Sequence, residues 1–516
     1  MQKDEELRIP EEARSMNRKP EGWGRLVYVV LVFCICLAPF AGMLWTGGGT
    51  TAETSSTEPV PSIVDSAGNP DIEFARKLSE YFESHFAYRS LAIDAYAHLR
   101  ADIFATSPTS QVVVGTDGWL YYGGTLDDYL ASDPLTEREV DNIVHNLTLM
   151  QGYTEAMGST FIFTVAPNKN SLYPDHMPYH LTSGDNDDMT LLVQRLNAAG
   201  IGFLDLFAKF EAEKDVLYYK TDSHWNYEGA LMVSDALLDL ADRDPVNVVS
   251  TVMDDTFVGD IERMLYPTSA SPESSLKIDV AGNWSYTNEA ISVEDATVRT
   301  EGGGEGSLLM YRDSFANNLI PLLSPSFATC HYTKLIPYDI TLIARETPDV
   351  VIIERAQRHV GLLADDPPIM PAPMVTLDEK TISAGDDSVF LVSGRDGDFV
   401  VIEGRFDSNV IGGVEDIYLE LDSGDADLYF VPFRLNPAEE VSLGDEADSS
   451  EAGDEDSDPT SSDTLQMPLP SHEDSFGFKA YVPASVFEQR GSSLNVLVRP
   501  SEGESIYRVG GILTSP

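Results

Sequence analysis

Four short apolar runs limit what this chain can fold into more than any other feature: "TFIFTVAP" at 160–167, "IGFLDL" at 201–206, "SLLMYRDS" at 307–314 and "PDVVIIERA" at 348–356. Each is too short for an ordinary helix and too continuously apolar for a strand with one wet face, so each reads as a strand buried on both sides. Helical patterns separate them, and apolar strands alternating with helices predict an α/β sandwich with a mainly parallel sheet. In such sheets the reactive groups gather in loops beyond the carboxyl ends of the strands.

From about residue 370 the pattern changes to short alternating stretches, among them "FVVIEGRF", "IYLELDS", "LYFVPFRL", "FGFKAYVP" and "LNVLVRP", separated by Gly, Asp and Asn. Alternation with a period of two predicts a C-terminal antiparallel β-sandwich over 370–516. It is interrupted by "AEEVSLGDEADSSEAGDEDSDPTSSD" at 438–463, which has no Lys or Arg and few apolar side chains and reads as a disordered acidic insertion. The formal net charge is −52 over 516 residues, which excludes nucleic acid as a partner because phosphate binding draws on clustered cations. Cys34, Cys36 and Cys330 form neither a disulfide framework nor a zinc spacing, so no metal or cofactor is expected.

The N-terminal part fixes the expected location. "LVYVVLVFCICLAPFAGMLW" at 26–45 carries no formal charge and has the length of a transmembrane helix. Lys3, Arg8, Arg14, Arg18, Lys19 and Arg25 precede it, and no Lys or Arg follows until Arg76. The positive-inside rule then makes 1–25 a cytoplasmic tail, 26–45 a single-pass signal anchor in the cell membrane, and everything beyond extracellular. Residues 46–70, rich in Gly, Ser, Thr and Pro, read as a flexible linker, and 72–104 as an amphipathic helical region broken near His85.

Within the α/β region, "TDSHWNYEGA" at 221–230 sets Asp222 and His224 two residues apart. In an extended or loop backbone such side chains share a face, and a carboxylate beside an imidazole can fix its tautomer and stabilise the imidazolium formed when it takes a proton. "LLMYRDSFANNLIPLL" at 308–323 supplies the missing nucleophile: a buried strand ends at Arg312-Asp313-Ser314 and a helical pattern begins at Phe315. Ser314 is thereby expected at a strand-to-helix junction, where helix N-terminal amides could face a developing oxyanion. Asn168, Lys169, Trp225, Arg312 and Asn317 are candidates for substrate or oxyanion contacts, each also open to a turn, core or helix-surface role. Glu354, Arg355 and Arg358, at the end of the last strand, read as structural unless they lie near Ser314.

The motifs "VVVGTDGWLYYGG", "FTVAPNKNSLYPDHMP", "TDSHWNYEGA" and "YRDSFANNLIPLLSPSF" resemble, in order and approximate spacing, those of the DHHW and alginate O-acetyltransferase (AlgJ/AlgX-like) families of the SGNH hydrolase-like superfamily. The resemblance covers roughly residues 72–360. It implies an SGNH hydrolase-like domain over 71–365 with Ser314 as nucleophile, His224 as general base and Asp222 as its orienter. It also implies an O-acetyltransferase acting on a cell-surface or secreted polysaccharide, supplied by a membrane-bound O-acyltransferase that exports the acyl group. The Gly common before Asp-Ser in these families is Arg312 here. An acetylesterase using the same three residues, and a non-catalytic polysaccharide-binding or scaffold subunit, are the alternatives.

Overall fold

The computed structural model describes residues 21–46, 61–64, 70–85, 88–185, 188–377, 381–383, 389–407, 414–422, 427–436, 475–490, 493–500 and 505–513. Residues 1–20, most of the expected linker and the whole acidic stretch 438–463 lie outside the described residues. The chain forms two compact units, one of Met1–Val114 with Asp260–Ser271 and one of Gly115–Gly259 with Pro272–Pro516.

The first unit is helical. Helix Glu21–Thr46 coincides with the uncharged run, and Leu31, Phe33 and Ile35 on it are exposed. Its side chains are described only at 23–38, 41 and 42, and among the described residues no helix is long and apolar enough to cross a membrane. The span expected at 26–45 therefore stays a reading of the sequence. The amphipathic region comprises helices Phe74–His85 and Arg89–His98, with Tyr88 between them in a left-handed conformation (φ 66°). His98 stacks on Tyr266 at 4.3 Å between ring centroids and contacts Asp102 through Nδ1 (2.9 Å) and Ser269 through Nε2 (3.0 Å).

The second unit is built on a seven-stranded sheet: β1 Thr160–Ala166, β2 Phe203–Leu204, β3 Trp284–Tyr286, β4 Thr297–Gly302, β5 Ser307–Tyr311, β6 Thr329–Thr333 and β7 Val350–Ala356. Their order across the sheet is β2-β1-β7-β5-β6-β4-β3. The pairs β2–β1, β1–β7, β7–β5 and β5–β6 are parallel, and β6–β4 and β4–β3 antiparallel. Successive residues of one strand enter opposite cores, as a period of two requires. Ile162, Leu308, Met310, Val350 and Ile352 join a cluster with Ala230, Val233, Leu237 and Leu238 of helix Tyr227–Leu240. Phe161, Phe163, Val165, Leu309, Tyr311, Val351 and Ile353 join another, with Val140, Ile143, Leu147 and Met150 of helix Glu137–Ala156 and Leu192 and Leu196 of helix Asp188–Ala199. Helices thus cover both faces, which is why the strands are apolar throughout.

Beyond residue 370 lie a six-stranded and a four-stranded sheet sharing one core, in which Ile402, Phe478, Ala480 and Val482 meet Leu419, Leu421, Leu494, Val496 and Val498. Pairing is antiparallel except that Thr381–Ser383 runs parallel to Ile506–Leu513, a departure from the all-antiparallel expectation. Polar side chains of helix Glu137–Ala156 tie this part to the α/β core. The Asn146 amide donates to Arg434 O (2.9 Å) and accepts from Arg434 N (2.9 Å), and His145 Nε2 donates to Pro432 O (3.0 Å).

Candidate active site

The segment that carries Asp222 and His224 folds back on itself. Tyr218 and Trp225 form an antiparallel bridge, and Asn226 N donates to Leu217 O (2.8 Å), leaving 220–223 at the tip. Asn226 caps the following helix, its side chain accepting from Gly229 N (2.9 Å). Three further groups hold the tip. The Glu273 carboxylate accepts from Lys220 N (2.8 Å), Thr221 N (2.9 Å) and Thr221 Oγ1 (2.6 Å). The Lys169 ammonium donates to the carbonyls of Tyr219 (3.1 Å), Lys220 (3.0 Å) and Asp222 (2.6 Å), which uses all three of its protons. Gly259 packs so closely that a Cβ there would stand 2.2 Å from Thr221 O.

Held this way, Asp222 Oδ1 accepts from both the backbone N–H of His224 (2.9 Å) and the ring Nδ1–H (2.7 Å). A carboxylate at Nδ1 selects the tautomer that leaves Nε2 as an acceptor, and Ser314 O–H donates to it at 2.8 Å. Ser223 Oγ lies 3.2 Å from Nδ1 as a second polar neighbour. Phe315 meets the imidazole edge-on at 4.8 Å. Asp222 is buried, while His224 and Ser314 are half-buried, so the serine is both braced and reachable.

Ser314 follows β5, as the sequence predicted, but what comes next differs from the expected helix. Residues Phe315–Asn318 form a short 3-10 turn, with helix Ile320–Leu323 beyond. The Ser314 hydroxyl makes no cap, and the Phe315 amide is taken by Asp313 Oδ1 (2.9 Å). No array of helix N-terminal amides is therefore available at Ser314, since the turn is four residues long and the next helix begins only at Ile320. Among the described residues the Ser314 N–H is left out of the turn's hydrogen bonds.

The remaining sequence candidates occupy other roles. Trp225 is fully buried, stacked on Phe210 and edge-on to Phe315, so it braces the loop and cannot stack on a sugar. Arg312 is 1% exposed and donates to the carbonyls of Val293 (2.7 Å), Asp295 (2.9 Å) and Asp313 (3.1 Å) and to Asn317 Oδ1, so it is turned into the fold and away from substrate, while Asn317 is half-buried with its Oδ1 held by Arg312. Lys169 is buried beneath the loop and faces no substrate. Asn168 is buried too, donating to Asp128 Oδ2 (2.6 Å), with Oδ1 unpartnered among the described residues. Arg358 lies against the rings of Phe315, the residue after the serine (5.8 Å), and Tyr122 (5.4 Å). Glu354 accepts from Asp313 N, one residue before Ser314 (3.0 Å). Sequence reasoning missed Glu273 and the bracing role of Lys169; the only signal for Lys169 was a cation directly after a buried strand. A cavity of about 670 Å³ elsewhere, lined by residues that include Asp239, Arg243 and Glu305, contains none of Asp222, His224 and Ser314.

A parallel-stranded α/β core presenting Ser, His and Asp in contact beyond its strand ends is the arrangement of the SGNH hydrolase-like class. Residues 112–285 match the family described as SGNH hydrolase-like domain, acetyltransferase AlgX; the match includes Asp222 and His224 and ends before Ser314. The chain is 29% identical over 177 residues to a probable alginate O-acetylase AlgJ of Pseudomonas syringae pv. tomato, covering 32% of this chain and 42% of that protein. It is 22% identical over 177 residues to the probable alginate O-acetylase AlgJ of Pseudomonas putida, covering 33% and 44%. The chain thus spans less than half the length of these curated relatives. Among solved structures, the O-acetyltransferase domain of Pseudomonas putida AlgJ aligns with a TM-score of 0.36 at 17% identity, covering 49% of this chain and 92% of that one. Bacillus cereus PatB1 aligns with a TM-score of 0.38 at 15% identity, covering 48% and 96%. At these scores the structural likenesses add no weight.

Proposed function

We propose that this protein is a membrane-anchored, extracytoplasmic O-acetyltransferase that esterifies hydroxyls of a cell-surface or secreted polysaccharide by serine chemistry. The observation that carries the reading is the continuous contact from Asp222 to His224 (2.7 Å) to Ser314 (2.8 Å). Ser314 Oγ attacks the carbonyl carbon of an acyl donor while its proton passes to His224 Nε2, and Asp222 stabilises the imidazolium through Nδ1–H. The oxyanion forms toward the Ser314 N–H, and the leaving group departs with the proton from Nε2, giving acyl-Ser314. A sugar hydroxyl then attacks the acyl carbon, its proton going to Nε2, and collapse of the second intermediate returns the proton to Ser314 Oγ. A positioned base contributes about 10²–10⁴ in rate, and each oxyanion donor roughly 10²–10³.

Membrane attachment rests on the uncharged run 26–45, its one-sided basic flank, and the exposed apolar side chains of helix Glu21–Thr46. With the bulk of the chain outside the cytoplasm, the acyl group has to cross the membrane, and a multispanning O-acyltransferase is the partner that would deliver it. The guanidinium of Arg358 lies 5.8 Å from the ring of Phe315, the residue after the serine, and a cation in that neighbourhood would favour a polar or anionic acceptor. The test uses the full chain in detergent with an activated acetyl ester and a panel of polymers that includes alginate. Ester-linked acetyl on the polymer, lost in Ser314→Ala, is the expected result. Free acetate alone at every polymer concentration would make the protein an esterase, and polymer binding without turnover would make it a scaffold.

A further inference from the structure

We propose that Glu354 is a positioning residue for Ser314, its carboxyl clamping the backbone turn that presents the hydroxyl to His224. This deepens the serine-acyltransferase reading and rests on it. Paired residues of β5 and β7 end at Tyr311 and Ile353, and where backbone pairing stops the Glu354 side chain takes over, Oε2 accepting from Asp313 N (3.0 Å). Asp313 is then tied on every side. Its carbonyl accepts from the Arg312 guanidinium (3.1 Å), and its carboxylate accepts from Phe315 N (2.9 Å) and from Ala356 N on β7 (2.5 Å). The residue before the nucleophile has no freedom left, so Ser314 inherits a fixed place. A displacement of the order of 1 Å in such a group costs on the order of 10²-fold in rate.

Glu354 does this from inside the protein. It is 0% exposed on a strand that is buried at all seven positions, and its Oε1 has no hydrogen-bond partner among the described residues. An ionised carboxylate there would lack donors for half of its lone pairs. The charged groups acting on it are Arg312 and Asp313 from the end of β5 and Lys334 just after β6, with the phenols of Tyr218 and Tyr338 nearby, while Arg355, the next residue on β7, alternates to the other face and donates to the Tyr338 hydroxyl (3.1 Å). Burial, reinforced by the Asp313 charge, pushes the Glu354 carboxyl well above the usual range and outweighs Arg312. Burial thus biases Glu354 toward the neutral acid, and its ionisation as pH rises would set it against the Asp313 carboxylate and loosen the clamp.

Three variants of the full chain test this with an activated ester, reading kcat, KM and melting temperature from neutral to alkaline pH. Glu354→Gln keeps the acceptor and cannot ionise; it should retain kcat within about threefold at neutral pH and resist the alkaline loss expected of the wild type. Glu354→Leu removes the acceptor and should lower kcat by about 100-fold with little change in KM. If Glu354→Leu does not fold, Glu354→Asp, which withdraws the carboxyl by one methylene, decides in its place and should show the same selective loss of kcat. A folded Leu or Asp variant with nearly full kcat would overturn the proposal, as would a Gln variant damaged as much as the Leu variant or sharing the wild-type alkaline loss. Ser314→Ala in the same assay separates the two claims: if it stays active the serine reading fails, and if it is dead while Glu354→Leu is active, only the clamp fails.

Discussion

Replacing Lys169 by Met removes the charge that gathers the loop bearing Asp222 and keeps most of the side chain's volume. The ammonium donates to three carbonyls, and its nitrogen stands 5.7 Å from the ring centroid of Trp119 and 5.2 Å from that of Tyr121. Hydrogen bonds from a charged group contribute about 1.5–3 kcal/mol each, so the gross loss is about 5–9 kcal/mol. Met also removes the cost of burying an ammonium, several kcal/mol by itself, and lets water reach the freed carbonyls. The net destabilisation is therefore about 3 kcal/mol. Urea unfolding followed by tryptophan fluorescence should show a lower midpoint with an unchanged slope. In conditions where the variant is fully folded, kcat toward an activated ester should fall by at least tenfold, because Asp222 loses the tie that fixes its carbonyl. A Lys169→Met protein with the wild-type midpoint and wild-type kcat would refute the bracing role.

Acidification gives a second prediction. Burial, with the Arg434 charge behind it, pushes the His145 imidazole down to about 4. Since the folded value lies below the ordinary one of about 6.5, this residue's contribution is complete above that pH and is lost progressively as pH falls toward 4, about 3 kcal/mol in all. His145→Gln can still donate to Pro432 O and does not titrate, so its stability relative to wild type should rise by that amount between neutral pH and pH 4; parallel unfolding curves would show that the site is wet. For the membrane reading, protease added to intact cells should digest the region beyond residue 45 and leave a short membrane-embedded fragment, whereas protection of residues 220–320 would place the site in the cytoplasm.

The strands, and the serine at the end of β5, were legible because a strand with helices on both faces has no wet side and its sequence says so locally. Asp222 and His224 were legible because their partnership spans only two residues. The supports were not, for each depends on which strands become neighbours: Glu354 meets Asp313 only because β7 lies against β5, and Glu273 reaches Thr221 across some fifty residues. Trp225 shows the converse limit. An aromatic beside a catalytic-looking His has the same local appearance whether it faces solvent or packs on Phe210, and only the fold decides. The short turn after Ser314 was hidden for a related reason, since the apolar spacing from Phe315 onward matches a helix while Asp313 takes the first amide for itself.

The most direct test of the central claim is a double-mutant comparison of Ser314→Ala, His224→Ala and the two combined, with turnover of an activated acetyl ester as the readout and melting temperature as the control for folding. Residues that act as one unit lose the same activity singly and together, so all three proteins should fall to a common residual rate, at least about 10³-fold below wild type. A folded Ser314→Ala protein that keeps most of the wild-type rate, or losses that multiply when the two substitutions are combined, would contradict the account.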